Sequence, residues 1–389
     1  MKLYVLFALL AGYCSAKIKL EFVQGLWRHG ERSALVDLYP IYEDDWVYGG
    51  GGLGELTGKG MGEMNELGRL FRKRYVNELH FLQPKYVSRE VYIRSTDLNR
   101  TIISANSLAY GFFPPSLYDV PDVDYPFKPF KWQPGLTFVP IHVDGPDQCA
   151  AAQNCPCPRY DILQSEMLKL PEVLPKFQQV VLLNRQVAAY YNKTSGVDTF
   201  YEYPDTWKCQ RAYFNTTLYQ KFPWYNEQLY RQSQLVYAPV KGFLEGNFAD
   251  SSVVNGVDIG HEMRVLNCSA QSNCSSYLKK LKFYGYSFHD NNVYAALVAL
   301  GIPQLTNTDD GWPAYASGIL LEFYRDTETN DNFFKVLYRE SDDTEIVDVT
   351  NQVPICNGTS LCPLSALQTL AQTLKPLPDI TTLCNSPVF

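Results

Sequence analysis

The chain has 389 residues, of which 46% are hydrophobic and 19% are charged, and its formal net charge is −7 at pH 7. This length can supply the core of two domains, and the composition is that of an ordinary globular protein. The negative charge argues against nucleic acid as a partner, so a local group of arginines is expected to bind a small anion.

The first 16 residues have the features of a secretory signal peptide. A charged start, Met1-Lys2, precedes the apolar run Leu3–Leu10, and the small residues of Cys14-Ser15-Ala16 follow. This pattern predicts cleavage near Ala16 and a secretory route. The apolar run is too short to span a membrane, and no later segment has about 18 uninterrupted apolar residues, so we expect no membrane span in the mature chain.

The stretch Gly25–Ala34 carries the first candidate catalytic group. It follows Ile18–Val23, a run in which apolar and charged residues alternate as in a strand. Arg28 and Arg32 flank His29, and guanidinium groups fit phosphate oxygens. A histidine held among them can accept a phosphoryl group on a ring nitrogen. Taken alone, a solvated loop with a capping histidine explains this stretch equally well.

A helix is predicted next, starting near Gly58 after a Thr57 cap. Its apolar stripe keeps a helical spacing of three or four and comprises Met64, Leu67, Phe71, Tyr75 and Leu79.

A second arginine-bearing turn follows the β-prone run Val91–Ile93. It reads Arg-Ser-Thr-Asp-Leu-Asn-Arg-Thr from Arg94 to Thr101, and apolar residues at helical spacing continue to Phe112. A strand, a polar turn and a helix stopped by Pro114-Pro115 are therefore expected. Taken alone, Arg94 is more simply explained as a salt bridge at a helix start.

Residues 147–235 are predicted to form a mostly helical cap, with the best helices over Ile162–Leu170 and Phe177–Tyr191. Residues 17–146 and 236–389 then make up one α/β domain.

A third motif, His289-Asp290, lies between a predicted strand, Leu281–Phe288, and a predicted helix. A helix start favours anions, although the pair alone reads better as an N-cap aspartate beside a core histidine. Finally, the residues of two later segments alternate in character as in strands, and these segments, Gly318–Tyr324 and Phe333–Arg339, are predicted to form a hairpin.

Three motifs thus lie between a strand and a helix. In a doubly wound α/β sheet the carboxyl ends of parallel strands share one edge, where ligands bind. Residues that are distant in sequence would therefore meet there. If they did not, each of the three motifs would need the separate structural explanation given above, and all three explanations would have to hold at once.

The cysteines and sequons agree with export. Of ten cysteines, Cys14 leaves with the signal peptide, so nine remain and one must be free or bridge to another molecule. Cys356 with Cys362, and Cys268 with Cys274, can close local loops, whereas Cys149, Cys155, Cys157, Cys209 and Cys384 have no obvious local partner. Zinc at Cys155 and Cys157 is disfavoured because no second pair lies at finger spacing. Sequons begin at Asn192, Asn215, Asn267, Asn273 and Asn357, and another begins at Asn99 in a motif that we expect to be buried.

The motifs together resemble the histidine acid phosphatase family, whose signatures are Arg-His-Gly-x-Arg-x-Pro and Arg-Ser-Thr-Asp-x-x-Arg-Thr. Arg28, His29, Gly30 and Arg32 match the first, with Ala34 at the usual proline, and Arg94–Thr101 matches the second. Asn291-Asn292 follow His289-Asp290 where the family often has two threonines. The resemblance covers nearly the whole mature chain, loosely in its middle.

The resemblance implies a phosphoglycerate mutase-like fold: a doubly wound, parallel-rich α/β sheet domain with an inserted, mostly α cap domain. It implies that His29 is the nucleophile and Asp290 the proton donor, that no cofactor or metal takes part, and that phosphate is bound by Arg28, Arg32, Arg94 and His289. It also suggests that Cys384 pairs with Cys155 or Cys157, and that the protein is a homodimer like dimeric relatives. Gly318 stands about where relatives have a cysteine, so Cys209 is expected to lack its usual partner.

We therefore predict a secreted or lysosomal acid phosphatase that hydrolyses small phosphate monoesters through phosphohistidine. Its optimum should be acidic, because the arginines disfavour protonated His29 and Asp290 needs acid to carry its proton. Two alternatives remain. One is a relative specialised for inositol phosphates, which would need many more basic residues than the cap offers, namely Lys169, Lys176, Arg185, Lys193, Lys208 and Arg211. The other is a secreted binding glycoprotein with a degenerate site.

Overall fold

The computed structural model describes residues 17–38, 41–47, 51–115, 120–126, 132, 135–136, 138–143, 158–171, 173–190, 202–214, 226–244, 280–306, 311–374, 382 and 385. Several predictions lie outside these residues: the signal peptide, the sequon asparagines Asn192, Asn215, Asn267 and Asn273, and the cysteines Cys149, Cys155, Cys157, Cys268, Cys274 and Cys384.

One eight-stranded mixed sheet forms the centre of the molecule. Its strands are β1 (Ile18–Arg28), β2 (Val91–Ser95), β3 (Ile141–Val143), β4 (Phe283–Phe288), β5 (Gly318–Asp326), β6 (Asn332–Arg339), β7 (Val347–Asp348) and β8 (Cys362–Pro363). The order is β3-β2-β4-β1-β5-β6-β7, with β8 beside β6. Strands β3, β2, β4 and β1 are mutually parallel, and β5 and β6 form the predicted antiparallel hairpin.

Helices cover both faces of the sheet, as predicted for a doubly wound fold. They are α1 (Gly58–Phe71), α2 (Asn99–Phe112), α3 (Pro158–Met167), α4 (Leu174–Tyr190), α5 (Glu202–Phe214), α6 (Glu227–Leu244), α7 (Asp290–Ala299) and α8 (Leu364–Leu374). Residues alternate between faces along β1. Val23 and Trp27 pack in the core cluster that includes α1 and α2, whereas Phe22 and Leu26 pack in the cluster that includes α7 and α8.

The helix predicted after Thr57 is present, and its last stripe residue differs from the prediction. The Thr57 hydroxyl accepts a hydrogen bond from the Gly60 N–H at 3.1 Å, and Tyr75 is fully buried. Leu79, however, is 42% exposed. The chain continues from α1 as a π-helix over Arg72–Glu78, whose wider turn changes the phase of the residues that follow.

The described residues of the region predicted as a cap are mostly helical. Leu183 of α4, Trp207 of α5 and Tyr230 of α6 share a buried cluster with Leu38 from the loop after β1. Helix α6 continues past residue 235, where the cap was predicted to end, to Leu244 in spite of Pro239 within it. The domain limits stay a prediction.

Two predictions about the cysteines can be compared with the structure. Cys356 and Cys362 form the predicted local disulfide, and Cys209 is free and buried. Asn357 is exposed, as a glycosylation site requires. The prediction that Asn99 is buried is wrong, because it begins α2 on the solvent side, where its amide donates to the Glu55 carboxylate at 2.9 Å. None of the helices in the described part of the chain is long and apolar enough to cross a membrane.

Candidate active site

The carboxyl ends of β1, β4 and β2 lie side by side and bring the first and third motifs together. Arg28 pairs with Phe288 across β1 and β4, and Ser95 pairs with Ser287 across β2 and β4. The His29 N–H donates to the Phe288 carbonyl at 3.0 Å. His29 and His289 therefore follow adjacent strands at the same level, and their ring centroids are 5.6 Å apart.

His29 has the tautomer that a nucleophile needs. Its Nδ1 lies 2.8 Å from the Gly30 carbonyl oxygen. Since that oxygen can only accept, Nδ1 carries the hydrogen and Nε2 keeps its lone pair. Burial, followed by the charges of Arg28 and Arg100, holds the pKa of His29 well below its usual value. The imidazole consequently stays neutral in acid.

Gly30 is required by the close packing of this loop against α1. A Cβ at Gly30 would lie 2.3 Å from the Gly60 carbonyl oxygen in the first turn of α1. The space beside this backbone is thus already filled by the helix. The Gly30 N–H in turn donates to the Ser104 hydroxyl on α2 at 3.2 Å, so the loop is fixed against both helices.

Arg28 and Asp290 form an ion pair at the mouth of the site. Arg28 Nη2 lies 3.1 Å from Asp290 Oδ2, and Lys241 Nζ from α6 approaches the same oxygen at 3.2 Å. Arg28 is held further by the Pro313 carbonyl at 2.7 Å and by the Tyr315 ring, 4.2 Å from its guanidinium carbon.

The proton-donor prediction for Asp290 meets a complication in these contacts. Burial alone would raise the pKa of Asp290, but Lys241 and Arg28 outweigh it and hold that pKa well below its usual value. With no phosphate bound, Asp290 is therefore a carboxylate rather than the protonated acid that the sequence interpretation assumed.

Arg32 is oriented by a residue from the helical region. Its Nη2 donates to both oxygens of Asp205 on α5, at 2.8 and 3.1 Å. Its Nη1 donates to the Ser33 carbonyl at 3.0 Å and lies 3.1 Å from Cys209 Sγ. The free Cys209 thus lies against a site arginine, as well as 3.3 Å from the Tyr315 hydroxyl.

His289 is anchored from β2. Its Nε2 lies 2.9 Å from the Thr96 hydroxyl, so only Nδ1 remains for another partner. Its backbone N–H donates to Asn292 Oδ1 at 3.2 Å, which gives the second asparagine of Asn291-Asn292 a role at the start of α7. Burial and the Arg100 charge lower the pKa of His289 to about 3, so this ring is also neutral.

Another arginine of the second motif, Arg100, acts on this cluster through its charge. Its charge lowers the pKa of both His29 and His289. Arg94 lies within β2, pairs in register with Tyr286 and His142, and is 3.4 Å from the Tyr284 hydroxyl. The role of Arg94 as a phosphate ligand stays a prediction. The motif contains two arginines, and this was the feature of the sequence that could have pointed to Arg100.

Beneath the loop of the first motif lies a buried pair of carboxylates. The Glu31 N–H donates to Glu63 Oε2 at 2.7 Å, and Lys59 contacts both side chains, at 3.1 Å for Glu31 and 3.4 Å for Glu63. Burial raises the pKa of Glu63 to about 7. In acid, Glu63 is thus protonated in the folded protein.

Glu63→Gln should make thermal stability less sensitive to pH near neutrality. Between the usual carboxyl pKa and about 7, folded Glu63 holds a proton that the unfolded chain lacks, so its contribution is present in acid and is lost as the pH rises through 7. Melting at pH 5 and pH 8 should show a relative gain for the variant at pH 8, on the order of 2 kcal/mol. The exposed Glu66→Gln is the control. Parallel melting curves for Glu63→Gln and the unaltered protein would reject this account.

Comparisons with known proteins identify the family of the chain. The family model of the histidine phosphatase superfamily (branch 2) matches residues 19–339. The Caenorhabditis elegans protein named "Putative acid phosphatase 11" is 69% identical over 96% of this chain and 95% of its own length. The lysosomal acid phosphatase of Homo sapiens is 31% identical over 83% of this chain and 71% of its own. The apo form of Hafnia alvei phytase covers 96% of this chain and 99% of its own with a TM-score of 0.60, and its 14% identity shows the shared fold alone.

The region that matches the family model contains the whole site. It begins in β1, at Lys19, and ends at Arg339, the last residue of β6. The strand ends that carry His29 and His289, and the helices that carry Asp205 and Lys241, all fall inside it. The chain belongs to branch 2 of the histidine phosphatase superfamily.

Proposed function

We propose that this protein is an acid phosphatase that hydrolyses small phosphate monoesters through a phosphohistidine at His29. The observation that carries the proposal is the state of His29. Its imidazole is buried and neutral, Nδ1 is tied to a carbonyl, and Nε2 makes no hydrogen bond within the described residues. A basic nitrogen surrounded by arginines suits attack on a phosphoryl group.

The residues divide the reaction into two steps. Arg28, Arg32 and Arg100 neutralise the phosphoryl oxygens while His29 Nε2 forms a bond to phosphorus and the bond from phosphorus to the ester oxygen breaks. Asp290 gives its proton to that leaving oxygen. Water then attacks the phosphohistidine, returns a proton to Asp290 and releases inorganic phosphate, which restores neutral His29.

Substrate itself supplies the conditions for Asp290 to act as an acid. The phosphate group attracts Arg28, which is the ion-pair partner of Asp290. It also adds negative charge nearby, and both effects favour the protonated carboxyl. An acidic medium shifts the same equilibrium further, while the lowered pKa of His29 keeps the nucleophile neutral. The protonation of Asp290 in acid and the neutral state of His29 together favour an acidic pH optimum for activity.

The relatives named acid phosphatases support this reading over the alternatives. Three Caenorhabditis elegans proteins so named are 50% to 69% identical to the chain, whereas the phytases resemble it in fold alone. Phosphate release from p-nitrophenyl phosphate and from inositol hexakisphosphate, measured from pH 3 to 8, tests the proposal. Release from the aryl ester with an acidic optimum is expected. Release from the inositol ester alone, or from neither, would reject it.

The cellular context is proposed on the sequence and on the lysosomal relatives. We infer cleavage near Ala16, a secreted or lysosomal destination, glycosylation at the five sequons, and a bridge from Cys384 to Cys155 or Cys157. A homodimer is expected only by analogy with dimeric relatives. Mass spectrometry of the mature N-terminus and of unreduced peptides tests these points, and an intact Met1 or a free Cys384 would contradict them.

Arg100→Ala and Arg94→Ala form a matched pair, because both residues belong to one motif. Loss of Arg100 should lower kcat/KM by roughly a hundred- to a thousandfold, the usual cost of removing one group that stabilises transition-state charge. Loss of Arg94 should cost less than about tenfold, since Arg94 lies within β2 with its guanidinium 3.4 Å from the Tyr284 hydroxyl. Steady-state kinetics with one aryl phosphate compares the loss of kcat/KM in the two variants. A larger loss in Arg94→Ala would restore the sequence-based assignment.

A further inference from the structure

A shallow pocket that opens to solvent lies beside Asp290, on the side of the helical region. The lining residues come from the strand ends, from α5 and α6, and from the loop before β5. They include Arg28, Asp205, Lys208, Lys241, Asp290 and Trp312. Because Asp290 is the proposed proton donor, the pocket is where the alcohol part of a substrate would lie.

Lys241 is the second cation of this pocket that contacts the proton donor, beside Arg28. Its ammonium group lies 3.2 Å from Asp290 Oδ2 and 4.1 Å from the centre of the Trp312 ring. Its side chain is only 19% exposed, so water screens its charge incompletely. Lys208 on α5 adds a second ammonium group to the lining.

The charges of the pocket change when the reaction begins. Asp205 is already paired with Arg32, and Arg28 turns to the phosphoryl group. Once Asp290 takes up its proton, Lys241 loses its counter-ion next to the leaving oxygen. A partly buried cation without a counter-ion is costly, so a second negative charge on the substrate would be favoured at this position.

We propose that this pocket selects phosphate monoesters whose leaving group carries a second anionic group, a carboxylate or a phosphate, within reach of Lys241. The inference rests on the proposed phosphatase function. The Asp290 oxygen links the leaving oxygen to Lys241, so Lys241 Nζ lies roughly 6 Å or less from the leaving oxygen, the sum of two hydrogen-bond lengths. A second anion in contact with Lys241 then lies at most about 9 Å from that oxygen, and a chain of two or three carbons keeps it within this limit.

Three substrates with the same three-carbon chain test the proposal: propyl phosphate, 3-phosphooxypropanoate and propane-1,3-diol bisphosphate. The quantity to compare is the ratio of kcat/KM for each anionic ester to that for propyl phosphate at acid pH. Because both values come from one preparation, the ratio does not depend on the fraction of folded enzyme. We expect a ratio of about ten in the unaltered protein, the usual effect of one charged contact. A preference for the carboxylate ester, the bisphosphate or both identifies the second group that the pocket accepts.

The variants separate Lys241 from general effects of charge. Lys241→Gln should bring the ratio close to one, Lys241→Arg should retain much of it, and Lys208→Gln should reduce it by less. Lys169, paired with Glu166 at the exposed end of the helical region, provides the control Lys169→Gln, which should keep the full ratio. Hydrolysis of propyl phosphate with no preference for either anionic ester, or a ratio unchanged in Lys241→Gln, would overturn the inference and leave the phosphatase intact. No hydrolysis of any ester would overturn the proposed function, and the inference with it.

Discussion

His29→Ala should lower kcat/KM by about ten thousandfold or more and should abolish the covalent phosphoenzyme, the loss expected when a nucleophile is removed. Nε2 of His29 makes no hydrogen bond within the described residues, and the low pKa of the ring keeps it neutral in acid. His289 is also neutral, but its Nε2 is held by Thr96. No other histidine adjoins these arginines in the described part of the chain.

Rapid quenching with labelled aryl phosphate measures this directly, because phosphohistidine survives in alkali and is lost in acid. The matched control is His142→Ala, which removes an exposed histidine that stacks on Tyr92, away from the cluster. The control should form phosphoenzyme and keep most of its activity. Labelled phosphoenzyme in His29→Ala would show that another residue is the nucleophile.

The meeting of His29 with His289-Asp290 could be predicted from the sequence because it depends on local patterns. Each motif follows a run of strand character and precedes a helical one, and parallel strands align their ends. The register of Arg28 with Phe288 realises this arrangement. The hairpin of β5 and β6 was predictable for the same reason, since alternation over eight or nine residues leaves little choice of register.

The choice between Arg94 and Arg100 could not be made from the motif alone. Both arginines lie in one block, and only the point where β2 ends and α2 begins decides which of them reaches the cluster. Arg94 is still inside the strand, whereas Arg100 lies in the first turn of α2. A boundary shift of a few residues, the usual uncertainty of a sequence-based prediction, is enough to exchange them.

Asp205 and Lys241 illustrate a harder limit. They lie 173 residues from Arg32 and 49 residues from Asp290, the groups that they contact. Neither belongs to a motif, and on a helix such residues look like ordinary solvent-facing charges. Their role follows from how α5 and α6 pack beside the sheet edge, which is a property of tertiary packing and not of local pattern.

Asp290→Ala should damage the enzyme to a degree that depends on the leaving group. Alkyl phosphates depart as strongly basic oxyanions and need the proton, so kcat/KM for propyl phosphate should fall by about a thousandfold, within the usual range for loss of a general acid. The nitrophenolate of p-nitrophenyl phosphate is a weak base, so its kcat/KM should fall by less than about tenfold. Because kcat/KM includes only steps up to cleavage of the ester bond, slow hydrolysis of phosphohistidine does not enter the comparison.

Electrostatics complicate the alanine variant, and a second variant separates the effects. Removing the carboxylate leaves Arg28 and Lys241 without their shared partner, which strengthens the attraction of any phosphate and should lower KM for both substrates. Asp290→Asn does the same while keeping the shape of the side chain. The two variants should therefore show the same large difference between alkyl and aryl substrates, and their alkyl activity should no longer rise as the pH falls. Equal losses for the two substrates would remove Asp290 from the role of general acid and leave its ion pair with Arg28 as its only function.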